Sequence, residues 1–198
     1  MGIFSLFKRK KQAEALDADE IVSAESLTES LNLGGFWHDS PESDRRHLSA
    51  PFDDELLRSI EEELGYKLPA SFVLLMRSHN GGLVNRCRYP VPEPEEGKPD
   101  TVYITDILGI GREMPYSLCG RFGSEFLIDS RRHNKSIGVA VCNTTLPGRA
   151  LVFLDYRACG KDGEPCVTYA DAMTGTELRL AKNFAQFLRG LENNVVTR

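Results

Sequence analysis

Several things this chain does without bound what it can be. No apolar run approaches the roughly 18 residues needed to cross a bilayer, which excludes a helical membrane protein. The opening Met-Gly-Ile-Phe-Ser-Leu-Phe is short, and its charges follow rather than precede it, so no secretory signal is read there. The expected compartment is the cytoplasm. Cysteines stand at 87, 119, 142, 159 and 166, an odd count without any Cys-x-x-Cys pair. That removes the usual spacing for zinc or for redox chemistry, and the thiols are read as reduced, mostly buried small hydrophobes.

The sequence is equally poor in catalytic patterns. Histidines occur only at 38, 47, 79 and 133, isolated from one another, and none stands in a His-Glu-x-x-His arrangement. His79, ahead of Asn80, reads as a helix-end residue. A Gly-x-Ser-x-Gly elbow is missing, and Cys142 and Cys166 lie in apolar runs where a thiol ionises poorly. Gly109-Ile110-Gly111-Arg112 lacks both the third glycine of a dinucleotide fingerprint and the Gly-Lys-Ser/Thr of a phosphate loop, so its glycines read as turn residues. Neither a catalytic residue, a metal nor a cofactor is expected. An enzyme would need Asp155, Glu164 and a histidine to converge in one pocket.

What is present is an ordinary globular composition, 41% hydrophobic and 27% charged over 198 residues, which suits one domain with a tail. The net charge of −5 is unevenly spread. Residues 1–12 hold four bases and no acid, residues 13–65 fifteen acids against three bases, and residues 66–198 fourteen acids against seventeen bases. An acidic first third attracts basic partners and repels nucleic acid, so no nucleic acid partner is expected. Residues 2–11 join Ile3, Phe4, Leu6 and Phe7 to four cations. They read either as a loose tail or as a short helix making weak contact with an anionic membrane. Gly34-Gly35 separates residues 1–34, a basic and then acidic extension of short helices or disorder, from a domain over residues 35–194.

Within that domain, Leu56, Leu57, Ile60 and Leu64 form one apolar stripe, and an aspartate at 53 or 54 caps a helix running to Leu64. A second helix, over 70–79, buries Phe72, Val73, Leu75 and Met76, and the short link makes the two a hairpin. Gly65 stops the first helix in the left-handed conformation and Pro69 starts the second. Asn80-Gly81-Gly82 ends it. The stretch 82–99, rich in proline and glutamate, reads as an exposed loop after an edge strand. Strands are then expected at 102–104, 107–110, 126–128, 137–142, 150–156 and 166–169. The runs at 137–142 and 150–154 are apolar enough to be covered on both faces. Leu180, Phe184, Phe187, Leu188 and Leu191 predict a closing helix over 178–191. The fold class is therefore α+β: a twisted, mostly antiparallel sheet packed against an N-terminal helical hairpin and a C-terminal helix.

The block Glu61-x-x-Leu64-Gly65-x-x-Leu68-Pro69-x-x-Phe72, closed by Asn80-Gly81-Gly82, resembles the signature of the SUKH superfamily, in its Smi/Knr-type domain. Phe36-Trp37-His38-Asp39, Leu154-Asp155-Tyr156-Arg157, Gly163-Glu164-Pro165 and the Asn183–Leu191 segment extend the likeness in the same order, with Trp37 expected half-buried. The chain departs from the pattern at the basic stretch 129–135 and at Gly148-Arg149-Ala150. The resemblance implies a non-catalytic immunity protein that neutralises a bacterial polymorphic toxin of the nuclease type. Its partner is then a cognate protein, a toxin domain, while the oligomeric state stays open. The alternative is a regulatory or scaffold module of the cell-wall regulator type. Asp155, Tyr156, Arg157 and Glu164 read either as a polar recognition face or as local turn bonding.

Overall fold

The computed structural model describes residues 35–193 apart from 93, 95 and 147. The expectations for residues 1–34, including membrane contact through 2–11, lie outside the described residues. Helix α1, Pro41–His47, starts from a reciprocal box: the Ser43 N–H donates to Ser40 Oγ and the Ser40 N–H to Ser43 Oγ. Helix α2, Asp54–Leu64, is capped by Asp53, whose carboxylate accepts from the Leu56 N–H at 2.8 Å. Gly65 ends it at φ +72. Helix α3, Ala70–Ser78, follows Pro69 at its N-cap. Asp54 and Arg77 pair at 2.5 Å, joining the start of α2 to the end of α3 as a hairpin must. Glu61 fixes the turn between them, its carboxylate accepting from the Leu68 N–H at 2.9 Å.

Two short antiparallel ribbons come next. Gly82–Leu83 (β1) pairs with Asp106–Ile107 (β4), and Arg88–Pro90 (β2) with Thr101–Tyr103 (β3). The segment expected as an exposed loop is thus partly inside: Tyr89 and Val91 are buried, and the Tyr89 hydroxyl donates to the Leu180 carbonyl at 2.7 Å. The main sheet is a four-stranded antiparallel meander of Gly138–Asn143 (β5), Ala150–Asp155 (β6), Cys166–Asp171 (β7) and Thr176–Ala181 (β8). All residues of β5 and β6 are buried, as unbroken apolar runs require. Helix α4, Ser124–Ser130, lies on β5, and helix α5, Phe184–Gly190, packs on β7, β8 and α3. Phe72 meets Phe184 edge-on at 5.0 Å, and Phe187 stacks on Tyr89.

Two expected elements are different. Residues 126–128 form part of α4, not a strand. A helix turns 100° per residue, so it buries Leu127 and Ile128 while leaving Phe126 47% exposed. The closing helix is shorter than expected. Leu178 and Leu180 alternate with exposed Glu177 and Arg179 in β8, and Asn183 caps α5 by accepting from the Gln186 N–H. Trp37 is more buried than half, with 8% of its surface exposed, and its ring stacks on His79 at 4.4 Å. The thiols are less buried than expected: Cys142 is buried, Cys87, Cys119 and Cys166 are half-buried, and Cys159 in the turn after β6 is exposed.

Asn80-Gly81-Gly82 does more than end a helix. The Asn80 amide donates to the carbonyls of Ala50 and Ile110 and accepts from the Ile110 N–H, so it serves as a strand partner for residue 110. Gly81 has φ +89, and a Cβ there would lie 2.5 Å from the Gly109 nitrogen. The two backbones touch, which explains both the glycine at 81 and the one at 109.

Candidate binding cleft

Between the end of α2, the 118–120 loop, α4 and the start of β5 lies an open cleft of about 810 Å³. Leu64, Leu118, Ile128 and Val139 supply its apolar floor and Phe126 its lip. Phe126 packs edge-on against Phe122 at 5.3 Å, which holds the exposed ring in place. The rim is ionic. Arg112 donates to Glu63 at 2.8 Å and to Ser59, and Lys135 reaches Asp129 at 2.8 Å and Glu125 at 3.8 Å. The hydrogen bond to Glu63 raises the Arg112 pKa, and that to Asp129 raises the Lys135 pKa. Cys119 also faces the cleft. Burial first, then the Glu63 carboxylate, pushes its thiol up to about 12, so it stays protonated and is a poor nucleophile.

None of the four residues expected as a recognition face lines this cleft. Asp155 is buried, bonded by Arg157 and by the Thr168 hydroxyl at 2.9 Å. Burial alone would raise its pKa, but the bonds from Arg157 and Thr168 outweigh it and the carboxyl is held below its usual value. Tyr156 is buried and donates to the Lys67 carbonyl at 2.6 Å. Its ring packs on Tyr66, a wall of the cleft, and burial pushes its phenol up. Arg157 stays exposed and spans Asp155 and Glu177, while Glu164 is half-buried near Tyr156. Inside the structure, then, Tyr156 holds the hairpin turn of α2 and α3 to the sheet, while Asp155 ties β6 to Thr168 of β7 and to Arg157. Arg157 and Glu164 are the two of the four with surface available to a partner.

Neither Asp155, Glu164 nor any histidine lines the cleft. No group of three His, Cys, Asp or Glu among the described residues is placed to hold a metal ion. Sequence reasoning missed Glu63, Cys119, Glu125, Phe126 and Lys135. The one available sign was the Phe126-Leu127-Ile128 run, which on a helix cannot bury all three rings and branches at once.

Fold and cleft together define a small α+β domain with an ionic-rimmed apolar groove beside its helical hairpin. The chain belongs to the SMI1 / KNR4 family (SUKH-1), whose pattern matches residues 51–190. A comparison with individual curated proteins gives no match. No described helix is long and apolar enough to cross a membrane.

Proposed function

We propose that this chain is a protein-binding domain of the immunity type, which acts in the cytoplasm by occluding a bacterial polymorphic toxin, of the nuclease class, one to one. One observation carries the reading: a well-formed cleft combines an exposed aromatic lip with carboxylates already paired to cations. Glu63, Asp129 and Glu125 are tied to Arg112 and Lys135, and the thiol beside them is protonated, so the site offers shape and charge rather than a reactive group. Exposed Glu55 and Glu62 on α2 add to the negative charge that Glu63 brings to the rim, and this suits a basic surface such as a nuclease presents to its substrate. An exposed aromatic set in a groove is the usual kind of energetic centre in such interfaces.

Co-expression with the toxin-like product of a neighbouring gene tests this, scored by growth and by titration calorimetry of the purified pair. Rescue with one-to-one binding is expected, and Phe126→Glu should weaken binding by about 30-fold or more, as removal of a central anchor does. Absence of rescue by the wild type, or rescue and affinity unchanged by Phe126→Glu, refutes the reading.

A further inference from the structure

We propose that residues 2–11 of this same chain occupy the cleft in the partner-free protein, so the domain carries its own competitor. The inference rests on the cleft being the docking surface. Residues 3–7 supply Ile3, Phe4, Leu6 and Phe7, and residues 8–11 supply four cations in succession, with no acid between. The cleft presents both complementary chemistries. Its apolar floor and the Phe126 lip lie beside Glu63, Glu125 and Asp129. Within that rim three carboxylates face two cations, Arg112 and Lys135, and exposed Glu62, next to Glu63 on α2, adds to the excess.

Reach does not limit the contact. Residues 12–34 make a connection of 23 residues, which spans up to about 76 Å when extended. A domain of this size is roughly 40 Å across. A tether of that order sets an effective concentration near the millimolar range. A segment with an intrinsic dissociation constant of about 100 µM would then fill the cleft about 90% of the time, and would lower the apparent affinity for a partner about tenfold. Residues 14–29 carry six acids and no base, and these compete for the cations alone. The four apolar residues are what favour the cleft over that acidic stretch, because only the cleft offers an apolar floor.

The test uses the full-length chain at low micromolar concentration, without partner, and a zero-length carbodiimide cross-linker read by mass spectrometry. Cross-links are expected within one chain from Lys8, Lys10 or Lys11 to Glu63, Glu125 or Asp129. The variant Phe4→Ser/Phe7→Ser should lose them, and its α4 amides should exchange several-fold faster. Cross-links confined to residues 14–29, scattered over acids far from the cleft, or formed only between two chains overturn the inference. So does α4 exchange that Phe4→Ser/Phe7→Ser leaves unchanged. Sedimentation with phosphatidylserine-containing vesicles, in the absence of the cleft cross-links, assigns residues 2–11 to a membrane surface and likewise overturns it. Failure here with Phe126→Glu still abolishing toxin binding removes only the self-competition. Cleft cross-links in a chain that binds no toxin remove only the docking role.

Discussion

Replacing Asn80 by alanine removes three hydrogen bonds from one place and supplies nothing in return. The Ile110 N–H, on a residue with no exposed surface, loses its acceptor at 2.7 Å. The carbonyls of Ala50 and Ile110 lose donors at 2.7 and 2.9 Å. An orphaned buried donor costs about 1–3 kcal/mol, and each carbonyl somewhat less because a second lone pair remains. Asn80 is itself 4% exposed, so water enters poorly in its place. The loss should therefore total about 3–5 kcal/mol, and a chain of this size should melt roughly 6–20 °C lower. Urea unfolding followed by circular dichroism measures it, with a lower midpoint and an unchanged slope expected. Ser78→Ala is the control, since Ser78 is exposed and its hydroxyl donates to the Leu75 carbonyl one turn back in its own helix. If Asn80→Ala costs no more than Ser78→Ala, the amide is not acting as a strand partner and the account of the Asn-Gly-Gly motif fails.

Gly81→Ala should cost well over 3 kcal/mol, because positive φ and a 2.5 Å approach to Gly109 combine. Gly160→Ala, at φ +77 with no atom within 4 Å of its Cβ, should cost only about 1–2 kcal/mol, and equal losses in urea titrations refute the close approach. Asp155 has a folded pKa below its unfolded value of about 3.9, so it contributes stability above that pH, which is lost as pH falls through the folded value. Asp155→Asn should flatten the acid limb of the stability–pH curve below about pH 4, and an unchanged limb contradicts the Arg157–Asp155–Thr168 assignment. With its thiol pushed up to about 12, Cys119 has about one part in ten thousand as thiolate at pH 8. Peptide mapping after iodoacetamide should find Cys119 modified far more slowly than a free thiol, and Glu63→Gln should speed it. Rapid labelling in the wild type contradicts the burial.

Punctuation carried most of what the sequence disclosed. Asp53, Gly65 and Pro69 act within a few residues of themselves, through a cap, a left-handed turn and a missing N–H, and local chemistry of that kind is readable without coordinates. The strands β5 and β6 were legible for a related reason: near-continuous apolar runs between turn residues leave few other options, and β7 showed as a short β-branched and aromatic stretch over 166–169. Helix α1 buries only Ser43 and so shows no apolar stripe, although Ser40 followed by Pro41 was a usable start. Residues 126–128 and 178–181 failed because three or four residues fit a period of two or of 3.6 almost equally well. The cleft was hidden for a different reason. Glu63 and Tyr66 come to it from one part of the chain, Cys119 to Asp129 from a second and Val139 from a third, and only tertiary packing brings them together. Asp155 and Tyr156 drew notice as polar residues at a strand end, yet their bonds run inward, to Thr168 and Lys67.

The seam between Phe72 and Phe184, with Phe187 against Tyr89, ties an early segment to one of the last. A ribosome delivers the early rings well before the residues that shelter them, so the nascent hairpin emerges with a greasy flank bare. That interval is when chaperones or premature aggregation compete for it. The meander, whose strands neighbour one another in order of synthesis, can zip up as it appears, and docking of its final turn then seals the front half of the molecule.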